Sequence, residues 1–296
     1  MGSVADRIAK RINSFRGSKV ADLAGWREGR EMAAEAGFGD GTEILGKFSD
    51  HDPCHAMYVI GQNVASLMAE SISGMKEAKG YVRIVGDAED EYLPSGPPMS
   101  PLTTSHFTMW AMFDVRFGSS RETMGSCILR IAPEFDCPIW LVDTIGRMQR
   151  SRMGFYVHCG NEGEGVLLRE VGTQEAVSCM VPAGYAGHDG QIWFVRVLEP
   201  PDDLCPRHIV FNTPYVIPGY SENDFVDYLG RERERMERKN PSGMEDAYFH
   251  LMKYGPEPNH WNEYIFRAFT NCLEEAIFLT GIPDIRESLP HASAGR

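Results

Sequence analysis

The stretch FYVHCGNEGEGVLLREV, Phe155 to Val171, sets a histidine beside a cysteine just before a glycine-rich run. A cysteine nucleophile needs a base within hydrogen-bond reach and a third group that orients that base. Neighbouring residues of a strand point to opposite faces, so in an extended FYVHCG the side chains of His158 and Cys159 diverge and cannot pair directly. Tyr156 and His158 then share one face, and Phe155, Val157 and Cys159 the other. We expect Cys159 to join the apolar core and His158 to stand on the solvated face. The run GNEGEG fits neither a Walker loop nor a dinucleotide fingerprint, because VLLREV reads as a second strand where a helix would have to begin. Its glycines are expected to supply the positive φ of a hairpin loop. No residue is assigned a catalytic role.

A metal centre is the next candidate. HDPCH offers His51, Cys54 and His55, and CPRH offers Cys205 and His208. Four ligands from Cys54, His55, Cys205 and His208 would make a mixed tetrahedral zinc site. The two pieces are short and far apart in the chain, one at a helix start and the other in a loop between strands. The expectation is no bound metal and no cofactor. Cys-Pro occurs at Cys137 and Cys205, as in thiolate haem-responsive dipeptides, a signal two residues long. His260 and Glu263 share a helix face by spacing but lack the partners of a di-metal carboxylate site. Asp114 and Arg116 in FDVRF, and Arg196 in WFVRVL, are polar groups among bulky apolar ones, read as a buried Asp–Arg pair holding helices to strands. In RERERMERK the signs nearly cancel, which describes a solvated helix face.

The elements that must position these residues follow from periodicity. Val4, Ile8, Ile12 and Phe15 recur at helical spacing, as do Val20, Leu23, Trp26 and Met32 in a second segment. Asp52–Pro53 is a cap followed by proline at the first helical position, and Met57, Ile60, Val64 and Met68 line the helix it opens. GYVRIVG reads as a short strand, and DAEDEYLPSGPPMSP as an exposed acidic loop. LTTSHFTMWAMFDVRFG fits a strand or a capped helix; RETMGSCILRIA and PIWLVDTIGRMQRSRM fit helices. The period then changes to two over GFYVHCG, GVLLREVG, EAVSCMVP, GQIWFVRVL and HIVFNTPYVI, separated by turn residues. NDFVDYLGRERERMERKN, EDAYFHLMKYG and NHWNEYIFRAFTNCLEEAIFLTG read as helices, the last the longest, with Trp261, Ile265, Ala268, Cys272 and Ala276 on one face.

Composition sets the outer bounds. The 296 residues carry 43% hydrophobic and 24% charged side chains and a formal charge of −13, the profile of a globular chain that repels nucleic acid and anionic membranes. The 7 cysteines are scattered without a CxxC pair, which suggests reduced thiols and a cytoplasmic location. No apolar run approaches the roughly 20 residues of a membrane helix, and MGSVADRIAKRINSF lacks the apolar core of a signal peptide.

FTMWAMFDVRF, SRMGFYVHCG and VLLREVGTQEAVSCMVPAGYAGHDGQIWFVRVLEPP together resemble a group of uncharacterised bacterial proteins. In those proteins an aromatic W-x-x-F-D segment precedes helices and a compact β-module with L-R-[DE]-[LV], [TG]-x-E and G-x-[IVL]-[WF]-x-x-R motifs. Some members end in a small cysteine/histidine SEC-C motif, which this chain lacks. The resemblance spans residues 105–217, implies a helix over 104–116 and a barrel over 154–217, and brings no activity with it.

These readings give an α+β fold: helical N-terminal and C-terminal regions flanking a small antiparallel β-barrel or sandwich module. The expected divisions are a helical region 1–95, a helical connector 96–153, the β-module 154–218 and a helical region 219–296. The expected function is that of a non-catalytic accessory or regulatory subunit in a larger assembly, contacting unidentified protein partners, with nucleic acid and membrane disfavoured. If the module has a binding face, Tyr156, His158, Trp193 and Arg196 are its candidates. The alternatives are an enzyme, such as a zinc-dependent hydrolase, whose Cys/His site assembles from distant residues, and single-stranded nucleic-acid binding by aromatic stacking on the barrel face.

Overall fold

Residues 2–15, 52–92, 101–135, 137–200, 206–239, 247–255, 259–261, 268–272 and 275–280 are described in the computed structural model. Among the described residues, helices precede the strands, and two further helices and two short strands follow the first five strands. The fold is α+β. The chain divides into two compact units: Met1–Leu93 with Phe107–Arg150 and Pro200–Cys205, and Pro94–His106 with Ser151–Glu199 and Pro206–Arg296. Residues 107–150 of the expected connector fall in the first unit, and residues 94–106 fall in the second with the strands and the C-terminal elements.

The first unit is helical. In α1 (Val4–Phe15), Val4, Ala5, Ile8, Ala9 and Ile12 are buried, a single stripe at the helical period. Its opening N–H groups, which have no partner within the helix, are taken by side chains. Ser3 Oγ accepts from the Asp6 N–H at 3.0 Å. The Glu122 carboxylate accepts from the Val4 N–H at 2.6 Å and the Ala5 N–H at 3.2 Å. In α2 (Pro53–Ser73) the expected cap is present: Asp52 Oδ1 accepts from the His55 N–H at 3.1 Å and proline occupies the first turn. Gly61 lets α2 approach the later helix that carries Thr144, because a Cβ there would come within 2.8 Å of Thr144 Cγ2. Residues 80–86, expected as a strand, lie inside α3 (Lys79–Tyr92). Tyr81, Ala88 and Tyr92 are its buried positions, a helical spacing, while Val82 is 46% exposed. The second segment expected from Val20 to Met32 lies outside the described residues.

LTTSHFTMWAMFDVRFG resolves in favour of helix: α4 runs Pro101–Phe113. Two more helices follow, α5 (Met124–Ile131) and α6 (Ile139–Arg150). A reciprocal capping box opens α5: Thr123 Oγ1 accepts from the Ser126 N–H at 3.1 Å, and Ser126 Oγ from the Thr123 N–H at 3.0 Å. The Thr123 hydroxyl also donates to Gln149 Oε1 on α6 at 2.7 Å. Thr123→Ala should cost about 1–2 kcal/mol, read as a lower denaturation midpoint. Adding Ser126→Ala should then cost less than it does alone, because the two caps support each other; strictly additive losses would show that they act independently.

The second unit is built on a mixed sheet of order β3-β2-β1-β4-β5-β7-β6. Its strands are β1 (Arg152–Glu162), β2 (Gly165–Glu170), β3 (Ala176–Met180), β4 (Ile192–Leu198), β5 (His208–Ile217), β6 (Ala268–Cys272) and β7 (Ile277–Thr280). The five expected strands are all present. The expectation of a wholly antiparallel module is corrected at one place, since β5 pairs in parallel with β3; beyond the module, β5 also pairs in parallel with β7. The long helix expected over NHWNEYIFRAFTNCLEEAIFLTG is also corrected: Ala268–Cys272 and Ile277–Thr280 are strands. Parallel pairing of Tyr215 with Ile277 and Val216 with Phe278 draws this segment into the sheet, a tertiary constraint invisible to local periodicity.

Both faces of the sheet are covered. On one, Phe155, Ile192, Phe194, Tyr215 and Ile217 pack with Phe225, Tyr228 and Leu229 of α7 (Glu222–Lys239) and Leu251 and Met252 of α8 (Ala247–Tyr254). On the other, Tyr156, Val166, Leu168, Cys179, Trp193, Val195, Val210 and Val216 pack together. A sheet buried on both sides has nearly continuous apolar strands, as IWFVRVL and HIVFNTPYVI are. The helix α8 ends as expected at a glycine, Gly255, whose φ of 77° is the left-handed conformation that closes a helix.

Candidate functional site

FYVHCG is the strand expected of it, and the GNEGEG run turns the chain between β1 and β2. Glu162 pairs with Gly165 across a two-residue turn, in which Gly163 adopts φ 60°. His158 and Cys159 form no dyad. The Nε2 of His158 lies 2.9 Å from the Ala186 carbonyl, and its Nδ1 accepts from the Gly160 N–H at 3.2 Å. Both ring nitrogens are thereby engaged with backbone, while the Cys159 thiol donates to the Val157 carbonyl at 3.5 Å.

Their burial reverses the expectation. His158 is 1% exposed and Cys159 is an exposed free thiol. Two physical causes act. The face carrying Tyr156 and His158 is closed by its own core rather than solvated. A bulge then takes one extra residue into β1 between the His158–Leu168 and Asn161–Val166 pairs, with Gly160 at φ 119°, and Cys159 stands beside Arg169 where the Val157 face opens to solvent.

The four candidates for a binding face are likewise not at the surface. Tyr156 is 7%, His158 1%, Trp193 0% and Arg196 2% exposed. Tyr156 pairs with Trp193 across β1 and β4, whereas Arg196 alternates onto the other face of β4. Arg196 Nη1 donates to the Ser151 carbonyl at 3.0 Å, and Lys253 Nζ to the same oxygen at 2.8 Å, so two buried cations converge on one backbone group. The aromatic rings that would stack nucleobases belong to a closed core. Asp114 is buried in the first unit and Arg196 in the second.

Among the metal candidates, Cys54 is disulfide-bonded, so its sulfur is not available as a thiolate ligand. This also corrects the expectation that every thiol is reduced, although Cys127, Cys137, Cys159 and Cys179 are free. His55 sits in the first turn of α2 in the first unit, and His208 opens β5 in the second. Burial holds the His208 imidazole below its ordinary range, with the Glu199 charge pulling the other way. His51 and Cys205 lie outside the described residues. Among the described residues, no group of three or more His, Cys, Asp or Glu is placed to hold a metal ion. No described helix is long and apolar enough to cross a membrane.

The densest polar constellation was not anticipated. Arg152 opens β1, Glu170 ends β2, Thr173 follows in the turn and Tyr248 stands on α8. Arg152 meets Glu170 with both terminal nitrogens, the second at 3.0 Å. Thr173 Oγ1 donates to Glu170 Oε2 at 2.8 Å, and the Tyr248 hydroxyl to Oε1 at 3.1 Å. The Arg152 guanidinium also lies over the Tyr248 ring, 4.8 Å from its centroid. Two glycines make room: a Cβ at Gly154 would sit 2.5 Å from Glu170 Oε1, and one at Gly172 would sit 2.3 Å from the Tyr248 ring.

The electrostatics match the geometry. Burial pushes the Glu170 carboxyl up, but the Arg152 hydrogen bonds and charge, with those of Thr173 and Tyr248, hold it below its ordinary value. Burial, and then the Glu170 charge, push the Tyr156 and Tyr248 hydroxyls well up. A carboxylate has about four lone-pair sites, and here four donors fill them. Glu170 is thus a saturated anion rather than a base, and both tyrosines stay protonated at neutral pH. The sequence held one signal of this cluster: in VLLREV, Glu170 falls on the same alternate positions as Leu168 and Val166, an acid on a core face that requires a cation nearby.

Comparison of the chain with protein-family models, curated proteins and solved structures finds no match.

Proposed function

We propose that this chain is a non-catalytic accessory or regulatory subunit that acts through contacts with another protein. The observation that carries the reading is the closure of its polar constellations. Glu170 has its oxygens filled by Arg152, Thr173 and Tyr248, and His158 spends both nitrogens on backbone. Catalytic acids and bases need an unfilled site at which a substrate proton can arrive. The same reading takes β1–β5 as a small barrel, which the pairing of β3 with both β2 and β5 supports. The cytoplasmic setting is supported by the free thiols among the described residues and opposed by the disulfide at Cys54.

The test pairs purification with variants. Native-state purification should yield a second protein in fixed ratio to this chain. Glu170→Gln and Tyr248→Phe should alter the cellular phenotype only as far as they lower the melting temperature. A variant that melts like the wild type and still abolishes the phenotype would move the assignment to an enzyme with Glu170 at its centre.

A further inference from the structure

The loop joining β3 to β4, residues 181–191, is fastened to the sheet largely through one histidine. The main chain of His158 accepts from the Gly190 N–H and donates to the Gln191 carbonyl, each at 2.9 Å. Its side chain, with no solvent exposure, reaches the middle of the loop at the Ala186 carbonyl. A carbonyl only accepts, so Nε2 carries the proton; Nδ1 accepts from the Gly160 N–H and carries none. The ring is therefore the neutral tautomer, and both of its nitrogens bind.

The rest of the loop is laid over this contact. Gly187, at φ 65°, comes so close that a Cβ would stand 2.5 Å from Trp193 Cζ2 and 3.1 Å from His158 Cδ2. Gln191 Oε1 accepts from Trp193 Nε1 at 3.2 Å and from the His188 N–H at 3.0 Å. Gln191 Nε2 donates to the Tyr185 hydroxyl at 3.1 Å, and the Tyr185 ring packs 5.5 Å from that of Trp193.

We propose that His158 makes the β3–β4 loop an acid-released strap: a solvent proton taken up at Nδ1 removes the acceptor of the Gly160 amide, frees residues 182–190 from the sheet and uncovers Tyr185 and Trp193. With Nδ1 protonated, the Gly160 N–H and the ring N–H point at each other, so the ring can keep its seat only by losing a part-buried hydrogen bond. Among the described residues, the titratable groups facing the ring are Asp189, whose Oδ1 lies 3.7 Å from Nδ1, and His188, both on the loop itself. From β1 it meets the Gly160 amide and from β4 the Trp193 ring. Asp189 is 82% exposed, so water screens the charge that could hold a protonated ring in place.

Burial lowers the titration of the seated ring from its ordinary value, against the Ala186 hydrogen bond and the charge and hydrogen bond of Asp189, with His188 adding to the lowering. A released His158 titrates near about 6.5. The released loop thus binds the proton more tightly than the seated one. Seating has its full advantage above about pH 6.5 and loses it as pH falls from there towards the lower seated value.

Hydrogen exchange of the full chain, each rate divided by the intrinsic rate at that pH, reads the strap. Below about pH 6.5, opening of the Ala186–Gly190 amides should rise by up to about tenfold per pH unit, while the Tyr156 and Phe194 amides hold their protection. His158→Gln should make loop opening independent of pH. Should that variant not fold, a carbon-13 titration of the wild-type histidines decides alone, with His158 expected to titrate below the ordinary value. Loop protection that stays constant in acid, or that falls in step with the strands, would overturn the proposal. So would a His158 that titrates at or above the ordinary value.

Discussion

Arg152→Ala should destabilise the second unit by about 3–5 kcal/mol, the cost of leaving a buried carboxylate without its cation. The Glu170 side chain is 5% exposed and that of Arg152 15%, so water cannot take the place of the missing guanidinium. Thr173 and Tyr248 would still donate, but neither carries charge. Glu170→Leu should be costly for the mirror reason. The double variant, with leucine at both positions, should recover much of either loss, because the pair's attraction is largely spent on desolvation. Urea unfolding of the four proteins measures this; losses that simply add would mean that the two groups stabilise the unit separately. The pair also predicts an acid response. Glu170 titrates lower folded than unfolded, so its contribution is complete above the ordinary carboxylate range and declines as pH falls through that range towards the folded value. In Glu170→Gln that part of the acid response should vanish.

His158→Ala and Cys159→Ser should differ sharply although the residues are neighbours. Truncating the buried His158 ring leaves a cavity and takes the partner from the half-buried Gly160 N–H and from the carbonyl of the exposed Ala186, a loss of about 2–4 kcal/mol. The exposed Cys159 should tolerate serine within about 0.5 kcal/mol. Urea midpoints read both. Alkylation of the native protein supplies a second measure, since Cys159 should react without denaturant. Cys127 and Cys179 are buried, and that burial pushes their thiols up to about 12, so they should wait for unfolding. A protected Cys159 together with a neutral His158→Ala would place the strand in the opposite orientation.

That reversal marks how far the sequence could be read. Alternation identified β1 to β5, and it sorted Tyr156 and His158 from Phe155 and Val157 correctly, because the side-chain period of a strand is a local property. It could not say which face would be solvated, since here neither is. Nor does any residue type announce the bulge at Cys159–Gly160, which depends on the pairing with β2. Asp52–Pro53 was legible as a helix start because a cap acts over three residues. Val82, Ile84 and Val85 misled for the opposite reason: a short β-branched run favours a strand locally, whereas Tyr81, Ala88 and Tyr92 bury a helix face only once other helices are present. The Arg152–Glu170 cluster joins residues from the two ends of a hairpin to a tyrosine 78 positions further along, so spacing alone could not assemble it.

The Glu122 carboxylate that receives the Val4 and Ala5 amides lies 118 residues after Val4. On the ribosome, at about 5–20 residues per second, the two are made on the order of ten seconds apart. Throughout that interval the start of α1 lacks its anion, and its stripe of Val4, Ile8 and Ile12 lacks the helix α5 that follows Glu122 and packs against it. An amphipathic segment of this length is only marginally helical by itself. Synthesis therefore leaves this apolar stripe uncovered until the Phe117–Glu122 turn and the helix after it clear the exit tunnel. The start of α1 is thus completed only by residues made 118 positions later.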